Sequence, residues 1–583
     1  MEFLKWLKKI FQNIQDEEYN KFELSANSKE ESEIESTEDL INGKDIKKKK
    51  ISTDINENIE IIKQIFNFRE NNDLVIREFN INLNTSYKAF AVFMDGLVNK
   101  DSLDHSVFEP LMILSNINKT YENINFYEEQ GKRLSERCIK KTFKGGKKNS
   151  ISIVDFLKDN LIFLNQVEKS DVYGKVIDGI ILGQTVIFID NATEILILET
   201  RGWKDRAVSE PIIEKTVRGP HEGFCENYKT NIGLIRKFLP NHNMINDVIY
   251  IGTEQKNFCG VIYIKNIANP KIVDEVKKRI TSVKTDIVIG SCSLEQYIED
   301  HPFMIFPQTI NTERPDRVAS QLVEGKVAII MSNSPNALIV PINFWTLFHS
   351  SEDIYHRFPI GSFLRILRYF SALITTFLPA LYIAIINFHQ GLLPTDLLFS
   401  IAGTREKVPF PSIIELLILE ISFELIRESG IRMPGVIGPT LGIIGALILG
   451  QASVAANIVS PLLIIVVSIT GIGSFAIADY SMSFACRLLR FIYMSVANFL
   501  GIFGISIIAF IQLTLMCNMK SFGVPYLSPI APWIKGRKDL IIRYPLWEQE
   551  KVPDEVNAIK KKRQPEISRG WVKSDIDKGN GKQ

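Results

Sequence analysis

The chain has 583 residues, 68 Lys and Arg against 67 Asp and Glu, and a net charge of +1. That length exceeds one ordinary domain, and the charge balance excludes a strongly basic nucleic-acid binder. Hydrophobic residues make up 45% of the whole, but they are unevenly spread, and the asymmetry is the first clue to organisation.

MEFLKWLKKIFQNI opens the chain with apolar residues on one helical face and lysines on the other. It reads as a short amphipathic helix, either an interfacial anchor or a docking segment. Lys5, Lys8 and Lys9 interrupt the apolar stretch, so a cleavable signal peptide is not expected. The rest of 1–55 is polar, ends in Lys47 to Lys50, and reads as a disordered linker.

Residues 56–165 are expected to form a first α/β subdomain, with AFAVFMDGLVN as a strand followed by an Asp-Gly turn. KGGKK, Lys144 to Lys148, lacks the full phosphate-loop pattern and reads as a solvated basic loop. Residues 166–358 are expected to form a second α/β subdomain. There QTVIFID and EILILET suggest a hairpin, DVIYIGTEQ and GVIYIKNI two strands, and PKIVDEVKKRI a helix that opens at its proline. Strands and helices do not alternate cleanly, so the predicted class is an α+β region of two mixed α/β subdomains, followed by an all-α polytopic membrane domain.

The membrane reading covers 359–532. Charged residues are absent from 369–388, from 433–478 and from 491–519. A bilayer core takes roughly 20 apolar residues per helix, so these runs predict spans near 369–388, 435–451, 457–478 and 491–517. A fifth helix, 412–430, is acidic and either crosses or re-enters. With five crossings the arginines Arg427, Arg432, Arg487 and Arg490 fall on the inner side. With four, the basic tail 533–583 joins the N-terminal region there, and its larger Lys/Arg excess favours that arrangement. The tail itself reads as polar and loosely ordered.

The acidic helix carries Glu415, Glu420, Glu424 and Glu428. Three of these, Glu420, Glu424 and Glu428, share one stripe, beside Arg427 and followed by Arg432. Carboxylates in hydrocarbon persist only when paired, protonated or wet. Two arrangements satisfy this: an acidic belt facing a water-filled vestibule, or a structural set of ion pairs with Arg427, Arg432 or arginines from neighbouring spans. A mixed form pairs Glu424 and Glu428 and leaves Glu420 free. Gly438, Gly442, Ala446 and Gly450 form a small-residue stripe suited to close helix packing. Ser460, Ile464, Val467, Gly471 and Ser474 form another, with hydroxyls at its ends and apolar groups between, as a pore with a hydrophobic gate would have. Its alternative is an ordinary interior face.

RGPHEGFCENYKTNIGLIRKFL (218–239) and FPQTINTERPDRVASQLVEGKVAII (306–330) resemble two signatures of the GerA family of spore germination proteins. KAFAVFMDGLVNKD, SEDIYHRF, ESGIRMPGVIG and SFGVPYLSP fit the same family in the same order. Lys326 stands where the family commonly has arginine, and SNSP (332–335) where it has DGTP. The resemblance implies an A subunit of a nutrient germinant receptor, working with a permease-like B subunit and a lipoprotein C subunit in the inner membrane of the spore. It further implies a homo-oligomer, a pentameric ring that conducts ions when nutrient binds, with the N-terminal region and the tail on the cytoplasmic side. The subtype stays open, since the stage V sporulation protein AF branch shares this fold. A transport-type subunit that itself binds nutrient, and a non-conducting scaffold, are the other functions compatible with the residues.

Arg218, Glu222 and Glu226 are spaced for pairing on a helix, and Glu313, Arg314 and Asp316 surround a turn at Pro315. Both sets are candidates for subunit contacts that transmit gating, or for local stabilisation. No HExxH, GxSxG or complete phosphate loop occurs, and the cysteines show no metal spacing, so neither an enzyme, a cofactor nor a metal is expected.

Overall fold

The structure, a computed structural model, describes residues 47–82, 86–114, 152–202, 210–432, 450–533, 539–549 and 551–564. The head helix, the KGGKK loop and the stripe positions Gly438, Gly442 and Ala446 lie outside the described residues.

After helix α1 (Ile55–Ile65) the chain builds a five-stranded antiparallel sheet from β1 (Leu74–Asn82), β2 (Ser86–Met94), β3 (Val167–Ser170), β4 (Thr185–Ile189) and β5 (Ile195–Leu198). Helix α2 (Ile153–Asn160) precedes β3, and α3 (Tyr173–Ile181) follows it. The strand order is β1-β2-β4-β5-β3. β2 has no polar face. Phe90, Val92 and Met94 pack on the side of α1 and α3, while Ala89, Ala91 and Phe93 pack on the side of α2. A strand covered on both faces reads as a continuous apolar run, which is what AFAVFM shows from Ala89 on.

Helix α4 (Tyr228–Phe238) then leads into β6 (Met244–Ile251), β7 (Asn257–Ile264), β8 (Ile310–Thr312), β9 (Val327–Met331) and β10 (Ala337–Val340). α5 (Pro270–Ser282) and α6 (Ser291–Ile298) lie between β7 and β8, and α7 (Pro315–Val323) between β8 and β9. The order β6-β7-β9-β10-β8 repeats that of the first sheet, strand for strand. The backbone repeats too: Gly183 before β4 and Gly325 before β9 both have φ +86, and Asn191 and Asn333 in the following hairpins both have φ 61. The sheet-containing region is a tandem repeat of one topology. This moves the boundary expected near 165: β3, β4 and β5, assigned from sequence to the second unit, complete the first sheet.

The second sheet passes its core on to the helices. Ala328, Ile330 and Ile339 belong to one apolar cluster with Leu347, Phe348, Tyr526 and the helix residues Ala380, Leu416, Leu463 and Tyr493.

Helix α8 (Phe358–Phe388) rises from the sheet side. α9 (Thr395–Arg405) follows, and α10 (Ser412–Arg432) comes back, starting beside the far end of α8, where Ser412 Oγ donates to Asn387 Oδ1 at 3.0 Å. α11 (Pro461–Phe475) also runs from that far end toward the sheets. The last helical stretch, α12 (Tyr480–Asn518), is a hairpin rather than the single span expected over 491–517. At Gly501 the backbone leaves the helix (φ 60, ψ −143), and Tyr493 Oη donates to Gln512 Oε1 at 2.6 Å. Residues 19 apart on a straight helix would be roughly 28 Å apart. The apex rests on the far end of α8, against Phe388 and His389.

Both legs therefore begin or end on the sheet side. Beyond the second leg, β11 (Lys520–Ser521) and β12 (Val524–Pro525) pair, Phe522 N donates to Asp300 Oδ2 at 2.6 Å, and Tyr526 Oη to Pro307 O at 2.8 Å. The tail is not loose where it is described. Ile559 N donates to Ile267 O at 2.9 Å, and Val556 enters the apolar face of α5 and α6. Residues 539–564 thus lie on the same side as the two sheets. Among the described helices, α8 and α12 are long and apolar enough to cross a membrane, while the apolar α11 is shorter.

Candidate functional site

Two sets of buried charges organise the molecule. The first lies among the helices. Arg490 Nη1 stands 2.9 Å from Glu420 Oε2, with both side chains at 0% exposure and without hydrogen-bond alignment. Arg490 Nη2 donates to Glu424 Oε1 at 3.0 Å, and Arg487 Nη1 to Glu424 Oε2 at 2.8 Å. Arg427 Nη1 is 3.5 Å from Glu424, Nη2 donates to Ser474 Oγ at 2.6 Å, and its guanidinium lies over the rings of Phe423 and Phe475. Two carboxylates thus meet three guanidiniums, and the acidic stripe of α10 is a clamp on the first leg of α12 and on α11. Glu420 is not free, as the mixed expectation had it: Arg490 faces it from the neighbouring helix. Glu428 pairs with Arg432 at 2.6 Å on the exposed end of α10. Glu415, on the opposite side of α10, is held by Arg405 at 3.6 Å and accepts from Ser460 N at 3.2 Å.

The serine stripe of α11 faces inward. Ser460 and Ser474 are buried at 1%, Val467 at 6%, and Ile464 is partly buried. Ser460 Oγ is 3.4 Å from Tyr382 Oη, and a Cβ on Gly471 would stand 2.5 Å from the ring of Phe423. The chain's own α8 and α10 occupy this face, so these five residues do not line a water path in the subunit. The reason is steric: a hydroxyl-and-glycine stripe suits close helix packing as well as it suits water. Among the described residues, the exposed face of α11 carries Ile465, Ser468 and Ile472. A Cβ on Gly450, the described member of the other stripe, would stand 3.9 Å from Ile464 Cγ2.

The second set ties the sheets together. α4 is capped by Asn227, and its buried Arg236 donates to Asp73 at 2.5 and 2.8 Å, to Asn71 Oδ1 at 3.2 Å and to Met244 O at 3.2 Å. Gly96 (φ +95) brings the turn after β2 against α4; a Cβ there would be 2.7 Å from Lys229 O, and one on Gly233 would be 2.7 Å from Gly96 O. Asp95 holds Lys229 and, at 3.0 Å, Lys100.

The ERPD turn is a second knot. Arg314, at 0% exposure, donates to Asp316, Thr216 Oγ1 and the carbonyls of Glu214 and Pro220. Glu313 accepts from Ile212 N and Ile213 N, and Glu214 accepts from Arg317. Asp316 accepts from Tyr355 Oη at 2.8 Å, just ahead of α8. Tyr355 also covers Gly219 (φ +119), where a Cβ would sit 2.7 Å from its ring. Glu313, Arg314 and Asp316 thus hold segments of one chain. Arg218, Glu222 and Glu226 are not on a helix, because α4 starts only at Tyr228; Glu222 instead pairs with Lys237 at 2.5 Å, and Arg218 and Glu226 are exposed.

Where the helices meet the second sheet, carboxyls crowd. Burial, then Glu295, push the Glu299 carboxyl up to about 8. Burial raises Asp479, which caps α12 through Met482 N at 2.9 Å, to about 6. Burial lowers His301 below the usual imidazole range, and neither of its ring nitrogens has a hydrogen-bond partner. These groups, with Asp73 and Tyr355, were missed as partners in the sequence, whereas Arg487 and Arg490 are the arginines of a neighbouring span that the ion-pair alternative allowed. The signal available was the pair Arg487 and Arg490 just ahead of a charge-free run.

The words that looked like signatures therefore fold onto one another: MDG on TNIGLIR, and RGP with ERPD on the tyrosine of SEDIY. The profile of the Bacillus/Clostridium GerA spore germination protein family matches residues 60–555, which includes both sheets, every described helix from α8 to α12 and most of the returning tail. The chain belongs to the GerA family.

Similar proteins include spore germination protein KA of Bacillus subtilis (strain 168), 36% identical over 87% of this chain and 89% of that one. Spore germination protein GerLA of Bacillus cereus is 38% identical over 81% and 90%. The B. subtilis membrane protein YfkQ, of unassigned function, is 38% identical over 86% and 91%. Among solved structures, the N-terminal domain of the A subunit of the Bacillus megaterium spore germinant receptor GerK3 aligns with 51% of this chain and 98% of its own, at 24% identity and a TM-score of 0.34. Within this GerA chain, the signature residues act as internal fasteners.

Proposed function

We propose that this GerA-family protein is an A-type subunit of a nutrient germinant receptor. Its helices 358–518 are embedded in the inner membrane of the spore, with both sheets and the returning tail on the cytoplasmic side. Copies assemble around an axis, and the ring passes monovalent cations when nutrient engages the permease-like and lipoprotein partners. The observation that carries the reading is the family match over 60–555, spanning the repeated sheets and the helical region together.

The arrangement suits transmission. Tyr355, Arg365 and Arg368 tie the base of α8 to the sheet side: Arg368 Nη1 contacts Asp353 at 2.8 Å, and Arg365 contacts Asp539 of the tail at 2.7 Å. A shift in the sheets would thus pull on α8 and the tail together. The conducting surface is assigned to the open face of α11, with Ile465, Ser468 and Ile472.

Potassium efflux on adding nutrient, from vesicles containing the full-length chain together with its permease-like and lipoprotein partners, tests this. Flux that responds to Ile472→Glu and not to Ile464→Ala supports the assignment; no flux from any assembly overturns it. The inward packing of the serine stripe is also what a non-conducting scaffold would show, and that same null flux, from a protein that still recruits the partner subunits, would establish it.

A further inference from the structure

Around the base of α8 the usual burial pattern is inverted. Residues 540–547 run as a strap along the first turns of that helix. Leu540 O lies 2.9 Å from His349 Nε2 and accepts from Tyr369 Oη at 3.3 Å. Ser362 Oγ donates to Arg543 O at 2.9 Å. The Arg543 side chain turns inward and donates to His356 O at 2.7 Å and Ile354 O at 3.1 Å, leaving it 4% exposed. Gly361 makes room: a Cβ there would stand 3.2 Å from Arg543 Cδ. The apolar neighbours point out. Ile542 is 53% exposed, Tyr544 39%, Leu546 48% and Trp547 41%, beside Phe358 at 42% and Phe363 at 65% on α8. Trp547 meets Phe358 edge-on at 6.3 Å.

A strap in water buries its isoleucines and leaves its arginine out. Here the arginine is spent on carbonyls and the apolar side chains form a contiguous outer band, which marks an interaction surface. Its height along α8 names the partner. The charge-free run starts at Tyr369 and is 20 residues long, roughly the 30 Å of a hydrocarbon core. Residues 358–367 and the strap beside them then lie within roughly 16 Å of the hydrocarbon edge, from the headgroup level, where Trp and Tyr side chains concentrate, out to its aqueous margin at Phe358.

We propose that residues 540–547 and the base of α8 form a membrane-interface foot, whose partner is the headgroup–acyl boundary of the bilayer. Resting on the membrane reading above, it fixes the depth of α8 and couples the folded tail to the lipid surface.

The test uses full-length protein in vesicles of phosphatidylcholine brominated near the headgroup, comparing the parent chain with Trp547→Phe. The parent-minus-variant emission should fall by about twofold with the brominated lipid and resist acrylamide. A second pair, the parent chain with and without Tyr544→Trp, gives the same readout from position 544 should Trp547→Phe fold poorly. A difference spectrum untouched by bromine but quenched by acrylamide overturns the foot in favour of water. One untouched by either, with cross-links between copies through position 542, overturns it in favour of a neighbouring subunit. Carbonate extraction separates the two levels: a parent chain washed off the vesicles sinks the membrane reading, whereas one retained with an unquenched difference spectrum sinks the foot alone.

Discussion

Arg490 and Glu420 face each other at 2.9 Å in a region where neither side chain reaches solvent. Each is tolerable because the other is there, and Glu424, Arg487 and Arg427 extend the set. Removing one partner of a buried pair leaves an uncompensated charge, at about 3–5 kcal/mol, whereas replacing both with apolar groups is often near neutral. Arg490→Leu should therefore lower the stability of the detergent-solubilised chain by about that amount. Adding Glu420→Leu should recover part of the loss. Thermal unfolding of the two single variants and the double variant checks this; a double variant as unstable as the sum of the singles would show that the contact is not a pair.

Gly501 turns the hairpin at φ 60 and ψ −143, with His389 Cε1 and Phe388 Cβ within 3.0 and 3.1 Å of where a Cβ would be. Side chains rarely adopt that backbone, and forcing one costs about 1–3 kcal/mol before any clash. Gly501→Val should destabilise by at least that much and weaken the Tyr493–Gln512 contact. Cross-linking yield between Cys introduced at positions 493 and 512 reads the second effect; an unchanged yield would contradict the need for glycine at 501, and no cross-link with Gly501 in place would contradict the hairpin.

The Arg236–Asp73 pair joins the two sheets from a fully enclosed position. Arg236→Ala should cost about 3–5 kcal/mol and loosen one sheet from the other. Arg236→Lys should rescue little, because a lysine offers a single point of charge where the guanidinium donates to Asp73, Asn71 and Met244 O. Proteolysis of the chain between the sheets, faster in both variants than in the parent, is the expected readout.

Glu299 has a folded pKa of about 8, above its ordinary value of 4.5, first through burial and then through Glu295. The folded state thus holds this proton more tightly than the unfolded one. Its contribution to stability is full below pH 4.5 and is lost as pH rises toward 8. His301 works in the other direction, since burial depresses it: its contribution is lost as pH falls below the imidazole range. Glu299→Gln should flatten the decline in unfolding temperature between pH 5 and 8, and a slope equal to the parent's would remove Glu299 as its source.

Much of the architecture was legible because local rules acted alone. The hairpin at Asn191, the strands β6 and β7, and α5 opening at Pro270 follow from turn residues, apolar runs and a proline at the first helical position. The repeat was not legible as a boundary. β2 and β4 are neighbours although nearly a hundred residues lie between them, and sequence distance carries no record of which strands pair.

The charged stripe of α10 shows the division most clearly. Helical spacing by itself placed Glu420, Glu424 and Glu428 on one face and required that they be paired, protonated or wet. Which of these holds depended on Arg487 and Arg490, more than sixty residues later, arriving on the next helix. The small-residue stripe of α11 was equally open, since serine and glycine suit both a water path and a close helix contact; the placement of Phe423 and Tyr382 decided it. Sequence fixes periodicity, turn chemistry and the list of charges that need partners, because these are properties of neighbouring residues. The partners themselves, and the hairpin that carries the chain back to its own sheets, are set by which surfaces meet when apolar faces are buried together.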